Sequence, residues 1–138
     1  MAHERVRALL GLMLAWAMAA AAAPAAKDHL VCVVENEAAL RNDGTLQMLE
    51  ERQSPSVGQR FRVDRGSGAL DGAQISNANA GKVTVLDPGG ATRAFHAYWT
   101  SPKFVSMPIG FLHVMAQKDA RAPFMLVESF AVLSGHCE

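Results

Sequence analysis

Motifs that announce chemistry are scarce in this chain. It holds two cysteines, Cys32 and Cys137, and no C-x-x-C spacing, which excludes the zinc ribbons and dithiol redox motifs that need paired thiols. Charge of one sign is equally scarce, thirteen Lys and Arg balancing thirteen Asp and Glu. Without a basic excess there is no electrostatic footprint for nucleic acid or for an anionic lipid surface. Gly66-Ser67-Gly68 is not the G-x-S-x-G of a nucleophile elbow, and it joins two strand-like stretches where the elbow joins a strand to a helix. Gly66, Gly68 and Asp71 lack the following helix that a dinucleotide site requires. No catalytic residue, metal site or cofactor is therefore expected, and the chain is not read as an enzyme.

One apolar run is present, and it stands at the start. Arg5 and Arg7 precede an apolar stretch over residues 8–18, shorter than a comfortable membrane span and followed by alanines instead of a basic flank. Ala23 and Ala25 satisfy the small-residue rule for cleavage after residue 25. Residues 1–25 are thus expected to be a secretory signal and residues 26–138 a single β domain, periplasmic or secreted, with no membrane span after cleavage. Setting aside Arg5, Arg7 and Glu4 leaves eleven basic and twelve acidic side chains, about one net negative charge. Export places Cys32 and Cys137 in an oxidising compartment, where they are predicted to pair. That bond would close a loop of roughly 100 residues, worth at most about 4.7 kcal/mol on chain-entropy grounds.

Strand pattern and turn chemistry agree best over residues 58–72. Arg60, Phe61, Arg62, Val63 and Asp64 alternate charged and apolar, the period of a strand with one dry face. Gly66-Ser67 is read as a two-residue type II′ turn with positive φ at Gly66, which sets Val63 opposite Leu70. Asp64 with Arg62 or Arg65 is read as a solvated edge. Upstream, the β-branched run around Cys32 predicts a strand inserted into the sheet. Asn42-Asp43-Gly44 predicts a hairpin loop with Gly44 left-handed and Leu40 facing Leu46 on a buried face. Residues 45–52 fit either a short helix or a frayed strand.

Downstream, residues 82–86 alternate as a strand, and Asp87-Pro88-Gly89-Gly90 meets the needs of a type II turn. Residues 92–100 place Phe95, Ala97 and Trp99 on one strand face and His96 and Tyr98 on the other. Residues 101–108 lie between two prolines and read as a loop, followed by strands over 110–117 and 124–128 with a charged turn between them, and residues 130–134 lead into Gly135-His136-Cys137. Seven or eight short strands and at most one short helix predict an all-β domain, an antiparallel up-and-down barrel or rolled sandwich, with a lipocalin-like barrel among the options.

The order of these features resembles a group of small secreted bacterial proteins, proteobacterial in type, with a cysteine near each end of the mature chain. The residues that carry the likeness are the Cys32 strand, Asn42-Asp43-Gly44-Thr45-Leu46, the stretch from Gly58 to Gly68, Val85-Leu86-Asp87-Pro88-Gly89, Phe111-Leu112-His113-Val114, Ala122-Pro123-Phe124, and Ser134-Gly135-His136-Cys137-Glu138. The resemblance implies an exported one-domain protein and transfers no active site or ligand.

Two function classes follow. The first is a small binding module acting on a protein or cell-envelope partner. Its expected surface is Tyr98, Trp99, Phe104, Met107 and Phe111, which gather aromatic and flexible apolar groups around the proline-bounded loop. The second is a lipocalin-like carrier of a small apolar ligand. His96 and His113 fall on strands that could be neighbours, both on the wet face, yet the sequence shows no third ligand to make a metal site of them. His29 and His136 flank the two cysteines and would approach one another if the disulfide forms.

Overall fold

A computed structural model describes residues 27–100, 109–117 and 120–138. Among the described residues nine strands form one antiparallel sheet: β1 (His29–Leu40), β2 (Leu46–Met48), β3 (Arg60–Asp64), β4 (Leu70–Gly72), β5 (Lys82–Pro88), β6 (Phe95–Thr100), β7 (Ile109–Val114), β8 (Ala122–Glu128) and β9 (Ala131–Cys137). The order is β4-β3-β1-β9-β8-β7-β6-β5, with β2 added to the far end of β1, and the sheet curls into a half-barrel. The all-β expectation holds. The count is nine where seven or eight are expected, and two of the nine, β2 and β4, are only three residues long. One 3-10 turn, Glu51–Gln53, follows β2, so residues 45–52 are a strand and then a turn of helix.

Two hairpins have the expected register and one has a different turn. Val63 faces Leu70, and Leu40 faces Leu46 beside a left-handed Gly44 at φ 85°. In the β3–β4 hairpin it is Gly68, at φ 73°, that takes the positive dihedral expected at Gly66. Asp64 is the reason: its carboxylate accepts hydrogen bonds from the Ser67 amide and hydroxyl, both at 2.7 Å. These close a loop over residues 65–68, whose last amide donates back to the Asp64 carbonyl at 2.8 Å. The Leu40–Leu46 pair is largely exposed, because β2 lies off the curled part of the sheet and nothing described packs over it.

The concave face is the core. Alternation aims Leu30, Cys32 and Val34 of β1, Phe61 and Val63 of β3, Phe95, Ala97 and Trp99 of β6, Leu112 and Val114 of β7, and Phe124 and Leu126 of β8 inward, where all are buried. Phe61 and Phe124 meet edge to face at 5.3 Å, a contact worth about 0.5–1.5 kcal/mol beyond its buried area. The disulfide joins Cys32 to Cys137, which are direct partners on β1 and β9, so the bond ties together the two ends of the fold.

Polar side chains finish the edges. Asn77 accepts from the Leu70 amide and donates to the Gly68 carbonyl, at 2.8 and 2.9 Å, covering the outer edge of β4. Arg65 was expected in solvent with Asp64; instead it is buried. Its guanidinium reaches across the open side of the roll to the Pro88 carbonyl at 2.8 Å and the Gln117 side chain at 3.0 Å. A bulge at Glu35 shifts the phase of β1, which turns Glu37 inward beside Leu133 and within hydrogen-bonding reach of the Ser54 hydroxyl. Gly135 permits that bulge, since a Cβ there would lie 2.0 Å from the Val33 carbonyl oxygen.

Candidate functional site

The convex face is unusual for a sheet with one side in water, where polar residues should alternate with the core. Register places Tyr98, Phe111, Val127, Val132, Ala38 and Met48 in one row across six strands, from β6 through β7, β8, β9 and β1 to β2. Every member carries an apolar or aromatic group. At the usual strand spacing such a row is about 24 Å long. Met48 is 60% exposed at one end, and Ile109, Phe130, Leu40 and Leu46 leave further apolar surface along the same margin of the sheet. Tyr98, Phe111, Val127 and Val132 are half-buried and Ala38 is buried, so the row is fully exposed only at Met48 and otherwise offers a partly accessible apolar band.

A second, more polar row runs parallel to the first: Asp87, His96, His113, Met125, Ser134 and Asn36. His96 Nε2 and His113 Nδ1 are 2.7 Å apart, with ring centroids at 4.6 Å. Phe111 stacks on His96 from the neighbouring row at 6.3 Å and 24°. Burial against these rings, and then the charge of His96, push His113 below the ordinary imidazole range. Asp87 stands at the head of the row but is engaged elsewhere. Arg93 grips both its oxygens at 3.0 and 2.8 Å, and the Gly89 amide adds a bond at 2.8 Å. The Arg93 hydrogen bonds, that amide bond and the nearby positive charge hold this carboxyl below its usual range.

The residues singled out in the sequence separate into three groups. Tyr98 and Phe111 are direct cross-strand partners on the convex face. Trp99 is 1% exposed on the concave face, so it belongs to the core and points away from Tyr98. Its indole lies over Gly110, where a Cβ would come within 2.2 Å of the ring, and beside Glu128. Phe104 and Met107 lie outside the described residues. The two histidines flanking the cysteines do not meet. His136 bonds Glu35 at 2.8 Å, with Arg121 on the same carboxylate at 2.8 Å, while His29 faces Asp64 at 4.0 Å.

Met125, Val127, Val132 and Met48 were not singled out in the sequence. The run Pro-Phe-Met-Leu-Val in β8 is apolar at successive positions, and that is the available signal: a strand apolar on both phases has both faces covered or one face waiting for a partner. Among the described residues no three His, Cys, Asp or Glu side chains group as a metal site, and no helix is long and apolar enough to cross a membrane. In comparisons with known proteins, the chain matches no family model, no curated protein and no solved structure.

Proposed function

We propose that this protein is an exported binding module whose convex sheet face docks on a protein of the cell envelope. The six-strand apolar row from Tyr98 to Met48 carries the reading. Tyr, Phe and Met are the side chains that protein interfaces favour, and the absence of a basic excess argues for a protein over an anionic lipid surface. A signal-like start and a disulfide suit an oxidising compartment outside the cytoplasm. The concave side chains Trp99, Phe61, Phe95, Leu112 and Leu126 are fully buried within one cluster, which favours this reading over a lipocalin-like carrier.

Photo-crosslinking in intact cells tests the assignment. With a benzophenone side chain at position 98 or 127, the same discrete protein adduct is expected from both. At the solvent-facing position 60 of β3 that adduct should be missing. Equal adducts at all three positions, or none at 98 and 127, would remove the convex face as the docking surface.

A further inference from the structure

We propose that the His96–His113 pair is an acid-sensitive latch on the convex docking face: closed near neutral pH it braces Phe111 in the apolar band, and opened by acid it releases the docked protein. The inference rests on the docking reading above. His96 of β6 and His113 of β7 are direct cross-strand partners, with Nε2 and Nδ1 2.7 Å apart. At that separation the two nitrogens share one hydrogen, because two N–H groups cannot point at each other across a hydrogen-bond distance. Phe111 joins the pair to the band, since it stacks on His96 at 6.3 Å and 24° and faces Tyr98 across the same two strands.

The two protons that acid adds act in opposite senses, whichever ring donates. When both rings are neutral, the facing nitrogen of one donates and that of the other accepts. The first proton enters at the far nitrogen of the donating ring and leaves the facing atoms as they were, so the contact becomes a charge-assisted hydrogen bond. The second proton has to enter at the accepting nitrogen. That puts a second N–H into the shared space and a second positive charge beside the first, and the rings must part. The closed pair therefore holds one added proton and the open pair two, so closure is complete near neutral pH and is lost as pH falls. Burial, and then the charge of His96, hold His113 below the ordinary imidazole range, in keeping with a second proton that enters late.

The groups packed around the pair leave this conflict unrelieved. From β5, Asp87 faces His96, and Arg93 of the β5–β6 connection binds both of its oxygens. Asp87 is held below the usual carboxyl range, so it stays ionised in that fork while the histidines titrate. From β8, Met125 faces His113 and carries no charge. Tyr98 and Phe111 border the pair from the neighbouring row. Among the described residues the histidine–carboxylate ion pairs within 4.0 Å are His29 with Asp64 and His136 with Glu35, so no carboxylate contacts either ring of the latch. Both rings are half-buried, and opening sets two cations beside the apolar band, where a docked partner would have to strip their water.

The test has two readouts. In the isolated, disulfide-bonded protein, the histidine ring nitrogen resonances and the proton contact between Phe111 and His96 are followed from about pH 7.5 to about pH 4.5, a span that brackets the ordinary imidazole range. The nitrogens should titrate in two separate steps, and the Phe111–His96 contact should vanish only with the second, while the amide spectrum of the core stays unchanged. In cells held at the same two pH values, the benzophenone adduct at position 127 should fall about tenfold in acid, the linkage of one proton over one pH unit. His113→Gln, whose amide meets His96 without a second charge, should keep that adduct at both. A Phe111–His96 contact that survives to the acid end, or is lost with the first proton, would overturn the latch. An adduct that persists after the latch has opened would overturn its control of docking and leave the docking face standing. Equal acid loss in His113→Gln would place the sensor elsewhere and overturn the proposal. Absence of the adduct already at the neutral end is the separate failure of the docking reading, and regulation falls with it.

Discussion

Cys32 and Cys137 face each other across the β1–β9 ladder one step from Val31 and Glu138, whose backbones exchange two hydrogen bonds at 3.0 and 2.8 Å. The cysteines therefore occupy a non-hydrogen-bonded pair, the position where antiparallel strands bring their side chains closest. Both sit in the core, so the bond replaces an apolar contact as well as closing the chain over a separation of 105 residues. Replacing both by alanine is expected to lower the unfolding free energy, read from urea titration, by about 2–4 kcal/mol. Replacing both by serine should cost more, because two hydroxyls would then be buried without partners among the surrounding leucines and valines.

Arg65 supplies the next test, since it bridges edges of the roll that no strand pairing joins. β4 and β5 are the two ends of the sheet order, and the guanidinium bonds to Pro88 and Gln117 span the gap between them. Burial lowers the affinity of Arg65 for its proton, but an arginine starts so high that it stays charged. Arg65→Lys keeps the charge and lacks the fork, so it can serve one of the two acceptors. Arg65→Lys should destabilise by about 1–3 kcal/mol in urea titration. If the loss is no larger than the few tenths typical of a surface substitution, the bridge does not hold the roll.

Registers were legible where a turn residue fixes them. Gly44 and the Gly66 to Gly68 stretch placed Leu40 on Leu46 and Val63 on Leu70, because a left-handed residue admits few loop lengths. Which glycine turns was not legible, since it depends on the Asp64 carboxylate reaching Ser67. The fate of Arg65 was hidden for a different reason. Its acceptors are 23 and 52 residues away, and local alternation carries no information at that range. The bulge at Glu35 requires Gly135 on another strand, so the inward turn of Glu37 could not be read from β1 alone. Trp99 shows the converse. Alternation put it with Phe95 and Ala97, and proximity to the proline-bounded loop drew it into a surface to which its strand phase does not belong. The row through Tyr98, Phe111 and Val127 became visible only once β6, β7 and β8 were adjacent in space.

Glu128 makes a pH-dependent prediction of definite sign. It ends β8 opposite Ala131, half-buried among small neighbours, with the Trp99 indole beside it. Burial raises its proton affinity above the ordinary carboxyl value of 4.5, and the Trp99 hydrogen bond offsets part of that rise. Because the folded group binds its proton more tightly than the unfolded one, its stabilising contribution is complete below about pH 4.5. That contribution fades as pH rises through the folded pKa, above which the chain carries a poorly solvated carboxylate. Glu128→Gln keeps an oxygen for the indole N–H and removes the titration. Thermal midpoints of Glu128→Gln are expected to exceed those of the unsubstituted protein at neutral pH and to converge with them towards pH 4. A constant offset across the whole range would mean that the carboxylate is solvated and that Gln acts through packing alone. Convergence at the acidic end would place the cost on the buried charge itself.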